Sequence, residues 1–382
     1  MSRPAAALPA ALALALAACS AAPDPGSALP DPGPPEPVAT VPYAGEPELP
    51  SELTVTADGR VLLASGSVST DWVTVVEDGV AGTPVQLPRE SDAPRVLVVS
   101  GDQVLAGTVT YDDRNTAEGY AFTVIDAATG RVTGSRPLTG WPAGDDPTPT
   151  GVSEADGAVT ADGRVVLVGS NPSNTLRTPP RVTWVDPATG AVLSSVPLDV
   201  SGLVGDVEHV DVEDVAVSPD GSHVALVVRL LADDGLEETV AVVLLDAGLA
   251  PVGPPFVPIP GAELESTSDL AVAVDDDGTA YTAVRTGEDR TTVVAVRAGE
   301  DEPRELVVVP TEVDDVAVAG GAVWLSGHGD HATVTRVRLA DGAVRTGDPL
   351  CGAAGGPLAV GGDRVVLGSR CEGVLLWEFA AG

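Results

Sequence analysis

From about residue 50 onward, apolar and polar positions alternate in short runs, and the runs are separated by Asp-Gly, Gly-Gly or Pro-rich breaks. LTVTADGRVLLAS from Leu53 and AVTADGRVVLVGS from Ala158 show the pattern plainly. A period of two is that of a strand with one face buried, and Asp-Gly between two such runs makes a tight hairpin. Many short strands joined by turns are predicted, not long helices.

The runs recur as one larger unit. It consists of an apolar strand, a tight turn, a second strand, a polar loop, a third strand ending near Asp, and a fourth ending in Pro. AVTADGRVVLVGS continues into VTWVDPATGAVLSSVPL from Val182, and VLVVSGDQVLAGT from Val96 into FTVIDAATGRVTGSRPL from Phe122. Further copies start at Asp214, Leu270, Asp315 and Leu358. With the copy at Leu53 this gives seven first strands at a spacing of roughly 40 to 60 residues, the size of propeller blades. The last unit runs out after its third strand, and PVATVP at residues 37–42 has the form of a fourth strand. The predicted fold is therefore all-β: a seven-bladed β-propeller of four-stranded antiparallel blades over residues 38–382, closed by an N-terminal strand that leaves no open edge.

TADGRVVLVGS and WVDPATGAVLSSVPL resemble the YVTN repeat and, more loosely, WD40-like and quinoprotein-like propellers. The resemblance implies a fold and a general role in binding or scaffolding, not a reaction. Residues 1–18 carry one charge, Arg3, and an apolar run too short to span a bilayer as a helix. The run ends in Leu16-Ala17-Ala18-Cys19, which resembles the lipobox of bacterial lipoproteins. That likeness implies a signal peptide over 1–18, lipidation of Cys19 and anchoring on the extracytoplasmic face of the cell membrane. Residues 19–37 are rich in Pro and acidic groups, the composition of a semi-rigid tether. The expected function is a membrane-anchored extracytoplasmic binding or scaffold propeller that meets another envelope protein. The alternative is a metal-dependent propeller hydrolase or lactonase.

Charge narrows the partners. The chain has 20 basic residues, all Arg, against 56 acidic ones, for a net charge of −36. A surface of that sign repels nucleic acid, so no nucleic acid is expected as a partner. Without Lys, Schiff-base chemistry is excluded, and the basic cofactor sites of quinoprotein dehydrogenases are not matched. No Gly-x-Ser-x-Gly elbow marks a serine nucleophile. With Cys19 assigned to lipid, Cys351 and Cys371 remain as a pair. Propeller topology puts the end of a fourth strand and a second-to-third loop on the same face, so a disulfide between the last two blades is expected.

The long second-to-third loops (111–119, 171–180, 232–238 and 287–290) are predicted to share that face, where propellers bind. Glu52, Asp156, Asp214 and Asp315 stand near the starts of first strands, with Asp269 two residues before its own. Their carboxylates are predicted to converge on the mouth of the central channel, with Arg95 among them. Ca²⁺ is the natural ion for such a mouth. His328, Asp330 and His331 form a second candidate, for Zn²⁺.

Overall fold

The computed structural model of the chain describes residues 37–43, 49–67, 70–88, 93–111, 117–141, 154–170, 180–200, 207–232, 238–259, 270–287, 290–300, 302–351 and 355–381. Cys19, the signal segment, the tether, Asp269 and most of the long loops lie outside the described residues.

Local chemistry sets the hairpins. Thr56 and Thr160 occupy equivalent places in two blades, and each hydroxyl donates to the carboxylate two residues on and to the carbonyl four residues on. The carboxylates, Asp58 and Asp162, hold the following Arg60 and Arg164. Gly59 and Gly163 take φ of 89° and 82°, a conformation the turn requires and a side chain would strain.

Seven antiparallel sheets follow one another along the chain. Blade 3 is the most regular, with strands Glu154–Val159, Val165–Ser170, Arg181–Asp186 and Ala191–Pro197 in spatial order. In blade 4 the ladder holds three strands, Val207–Val217, His223–Ala232 and Glu238–Asp246. Residues 250–256 run beside the third strand through only two bridges, Leu245 to Pro251 and Val242 to Phe256. Pro251, Pro254 and Pro255 have no N–H to give, so a continuous ladder cannot form there.

First strands touch in chain order around an axis, and the last touches the first. Seven apolar clusters fill the seven interfaces between blades. Because each blade is covered on both faces, the second strands are not half-buried as alternation predicts: Val165, Val166, Leu167 and Val168 are all buried in succession. Only outer strands such as Arg131–Pro137 face water.

Blade 7 is completed from the other end of the chain. Pro37–Val41 pairs with Val374–Ala380, Pro37 opposite Trp377 and Val41 opposite Val374. Its direction brings the chain in from the face of the tight first-to-second turns, opposite the face where first strands begin. At the second face the Cys351–Cys371 disulfide joins blades 6 and 7, with the Cα atoms 5.8 Å apart. The Tyr43 hydroxyl donates to the Cys371 carbonyl at 2.8 Å, tying the incoming strand to the same corner. Replacing both cysteines by Ser frees a loop worth about 3 kcal/mol of denatured-state constraint. The expected result is a melting temperature about 5 °C lower by calorimetry. An unchanged value would show that the hydrogen bonds alone hold the corner.

Candidate functional site

The channel mouth is built by irregularities in the innermost strands. Register shifts fall between Pro50 and Glu52, between Val212 and Asp214, and between Val313 and Asp315. A β-bulge turns consecutive side chains out of strict alternation, so the residue after it is re-aimed. Glu52, Asp214 and Asp315 each follow the bulged residue. Asp156 reaches the same level from a regular ladder, opposite Val168. All four lie inside their first strands, not just before them as the sequence suggests.

Two of the three bulged residues have work within their own blade, Glu213 pairing with Arg229 at 2.7 Å and Asp314 meeting His328 Nδ1 at 2.5 Å, while the buried Ser51 hydroxyl has no partner among the described residues. The acids after Glu213 and Asp314 reach the next blade. Asp214 accepts the amide of Val215 at 2.8 Å on one oxygen and that of Val272, in blade 5, at 2.7 Å on the other. Asp315 repeats this with Val316 and, in blade 7, Leu358, both at 2.6 Å. These two carboxylates are clamps between neighbouring blades.

Blades 1 to 3 differ. Asp156 accepts one amide, that of Gly157, at 2.8 Å, and Glu52 makes no hydrogen bond to the described residues. The inner strands here are close: Thr54 donates to the Leu97 carbonyl at 2.9 Å, and a Cβ on Gly157 would stand 2.4 Å from Val96. Arg95 and Asp156, each one residue earlier, stand on neighbouring inner strands, and the Arg95 charge acts against the rise of the Asp156 pKa. Tyr120 packs between blades 2 and 3, edge-on to Phe122, and is only 3% exposed. Its hydroxyl fills the place a Cβ would take on Gly107, whose carbonyl accepts the Arg95 amide at 3.2 Å. That hydroxyl has no hydrogen-bond partner among the described residues. Tyr120 stands opposite Val109 in the ladder and reaches Gly107 only diagonally, so nothing in the sequence pointed to it.

The four acids feel one another. Burial pushes the Glu52 carboxyl well above its usual value, the charges of Asp156, Asp315 and Asp214 add to this, and Arg95 opposes it. Asp214 is likewise pushed well up by burial and by Asp156 and Asp315, against the pull of two backbone amides. Burial raises Asp156 to about 6 and Asp315 to about 7. Tyr120 is raised by burial first and then by Asp156 and Glu52.

A folded-state value above the unfolded one means that the native protein holds the proton more tightly. The associated stability is complete below about pH 4 and is lost as pH rises through about 6 and 7. Asp58 and Asp220 in the tight turns, held at about 2 by hydrogen bonds from Arg60 and Ser222, act in reverse and lose their contribution as pH falls toward 2. The melting temperature should peak near pH 5 and fall by roughly 5 °C at pH 8. In Glu52→Gln with Asp156→Asn the alkaline fall should be smaller, with a higher melting temperature than wild type at pH 8. Parallel profiles would show that the acids do not repel.

No group of three or more His, Cys, Asp or Glu among the described residues is placed to hold a metal ion. Glu52, Asp156, Asp214 and Asp315 act on one another through their charges, while Asp269 lies outside the described residues. His328, Asp330 and His331 are not brought together. His328 lies opposite Glu312 in the ladder and is held between Glu312 and Asp314, while Asp330 and His331 are exposed. Burial works against the charged imidazole, but the two carboxylates outweigh it and keep its pKa above the usual value. Arg285 of blade 5 reaches Glu312 at 2.5 Å, so this cluster joins two blades.

The fold and this entrance define the chain as a seven-bladed β-propeller with a polar channel mouth. No protein-family model matches the chain, and no curated protein matches it. Similarity in structure extends to 916 solved chains. One of them, the Dos1 propeller, superposes with a TM-score of 0.51 over 88% of this chain and 79% of its own, at 12% sequence identity. Identity that low carries the fold alone, and a fold shared so widely names no ligand.

Proposed function

We propose that the chain is a lipid-anchored, extracytoplasmic, non-catalytic binding module that takes its ligand at the channel mouth and meets another envelope protein. The observation that carries the binding role is the contrast within one ring of acids. Asp214 and Asp315 spend both oxygens on the backbone, whereas Glu52, one oxygen of Asp156, Arg95 and the Tyr120 hydroxyl have no hydrogen-bond or ion-pair partner among the described residues. Repulsion that a fold tolerates without structural return is the mark of a site kept for something else. The pH profiles of wild type and Glu52→Gln with Asp156→Asn test this.

The anchor rests on Leu16-Ala17-Ala18-Cys19. Supporting it, the chain joins the propeller from the tight-turn face, so a tether there leaves the mouth facing away from the membrane. Cys19→Ala should move the protein to the soluble fraction or stall it as precursor. Processed Cys19→Ala that still sediments with membranes would remove the anchor from the proposal. The metal-dependent hydrolase alternative has no ligand set to rest on among the described residues.

A further inference from the structure

We infer that the sector of the mouth formed by blades 1 to 3 binds a small zwitterion of the free amino-acid class, with a basic side chain preferred. The inference rests on the channel-mouth reading above and adds the chemistry of the ligand.

Both signs of charge are present in this sector and neither is used. Among the described residues, half-buried Glu52 makes no hydrogen bond, and Asp156 has one oxygen left after Gly157. Arg95 is exposed and forms no ion pair within the described residues. The packing of Val96 on Gly157 and of the Tyr120 hydroxyl on Gly107, which accepts the Arg95 amide, sets the Arg95 and Asp156 positions on neighbouring strands, and the charges of Asp156, Glu52 and Arg95 all act on that hydroxyl. The orphaned hydroxyl points independently to a ligand, because a buried donor without an acceptor costs about 1–3 kcal/mol unless something meets it.

The donor set then selects the ligand by elimination. A bare divalent ion needs donors converging within about 2.6 Å of one point, which these side chains do not offer. A pure anion would meet Glu52, Asp156, Asp214 and Asp315, whose charges already act on one another. A pure cation would satisfy Glu52 and Asp156 but be repelled by Arg95 and leave the phenol unmatched. A molecule with an ammonium and a carboxylate satisfies both halves. The ammonium donates to Glu52 and Asp156, and the carboxylate accepts from the Arg95 guanidinium and the Tyr120 O–H. Acids outnumber the one Arg here, and a ligand with a second cationic group relieves the repulsion that pushes their pKa values up.

The test is calorimetric titration of the mature protein in detergent at pH 7.5 with L-arginine, agmatine (the same cation without the carboxylate), L-glutamate and CaCl₂. L-arginine should bind once per chain, and agmatine and L-glutamate at least tenfold more weakly. Tyr120→Phe, which keeps the packed ring, and Glu52→Gln should each weaken L-arginine about tenfold. Agmatine binding as tightly as L-arginine would replace the zwitterion by a simple cation, and Ca²⁺ binding that competes with L-arginine would replace it by a metal. No binding of any probe would overturn the ligand class. In that case a Glu52→Gln/Asp156→Asn variant that still flattens the pH profile leaves the mouth standing as a site, and parallel profiles remove both readings.

Discussion

Deletion of residues 38–48 is expected to lower the melting temperature by at least about 10 °C, or to give a chain that aggregates before it melts. The segment supplies the outer strand of blade 7, so its loss uncovers the N–H and C=O groups of Val374–Ala380 as an open edge. It also empties part of the interface between blades 7 and 1. Ala39 and Val41 are 4% and 1% exposed and pack with Leu53, Leu63, Val374 and Leu376. Burial of such side chains contributes about 1.5–3 kcal/mol for a Val and less for an Ala, before the ladder bonds and the Tyr43 tie to Cys371 are added. Val38, on the outer face and 42% exposed, provides the control, since Val38→Thr should stay within about 0.5 kcal/mol of wild type. A deletion variant that melts at the wild-type temperature would mean that the ring closes without this strand.

Asp214→Ala and Asp315→Ala should each lower stability by about 2–4 kcal/mol in chemical denaturation at pH 6. Each strands two amides that the carboxylate now satisfies, one of them on the neighbouring blade. Relief of repulsion from the other acids offsets a part of that loss, so the effect should be greater at pH 6 than at pH 8. Asn at the same position keeps one acceptor and should fall between. Glu52→Gln, removing charge without removing any backbone bond, should not destabilise at either pH. If the Ala variants match wild type, the amides are satisfied by water and the carboxylates do not clamp the blades.

These opposite expectations come from residues that look alike in the sequence. Glu52, Asp156, Asp214 and Asp315 occupy corresponding places in their repeats, and that correspondence was enough to place them at one mouth. It could not divide them, because the division depends on whether an amide of the next blade lies within reach. That in turn depends on a bulge and on the packing of two blades whose bonded residues are 58 and 43 positions apart in the chain. His328 and His331 show the converse. Their spacing suggests two ligands, but ladder pairing sets His328 beside Glu312 and turns it to Asp314, away from its sequence neighbour.

What the sequence determined by itself is what short-range chemistry encodes: strand periodicity, Thr-x-Asp-Gly turns, the number of repeats, and a stray fourth strand whose likeness to SSVPL and GSRPL announced ring closure. The disulfide followed from that topology, since a propeller's connectivity fixes which segment ends share a face. Only the tertiary structure decided that the second strands are buried on both sides, that three prolines break the edge of blade 4, and that the Tyr120 hydroxyl is buried without a hydrogen-bond partner among the described residues. The physical reason is one of range. Turns and alternation are settled within a few residues, whereas the partners of a channel side chain come from other blades and exist only once the ring has closed.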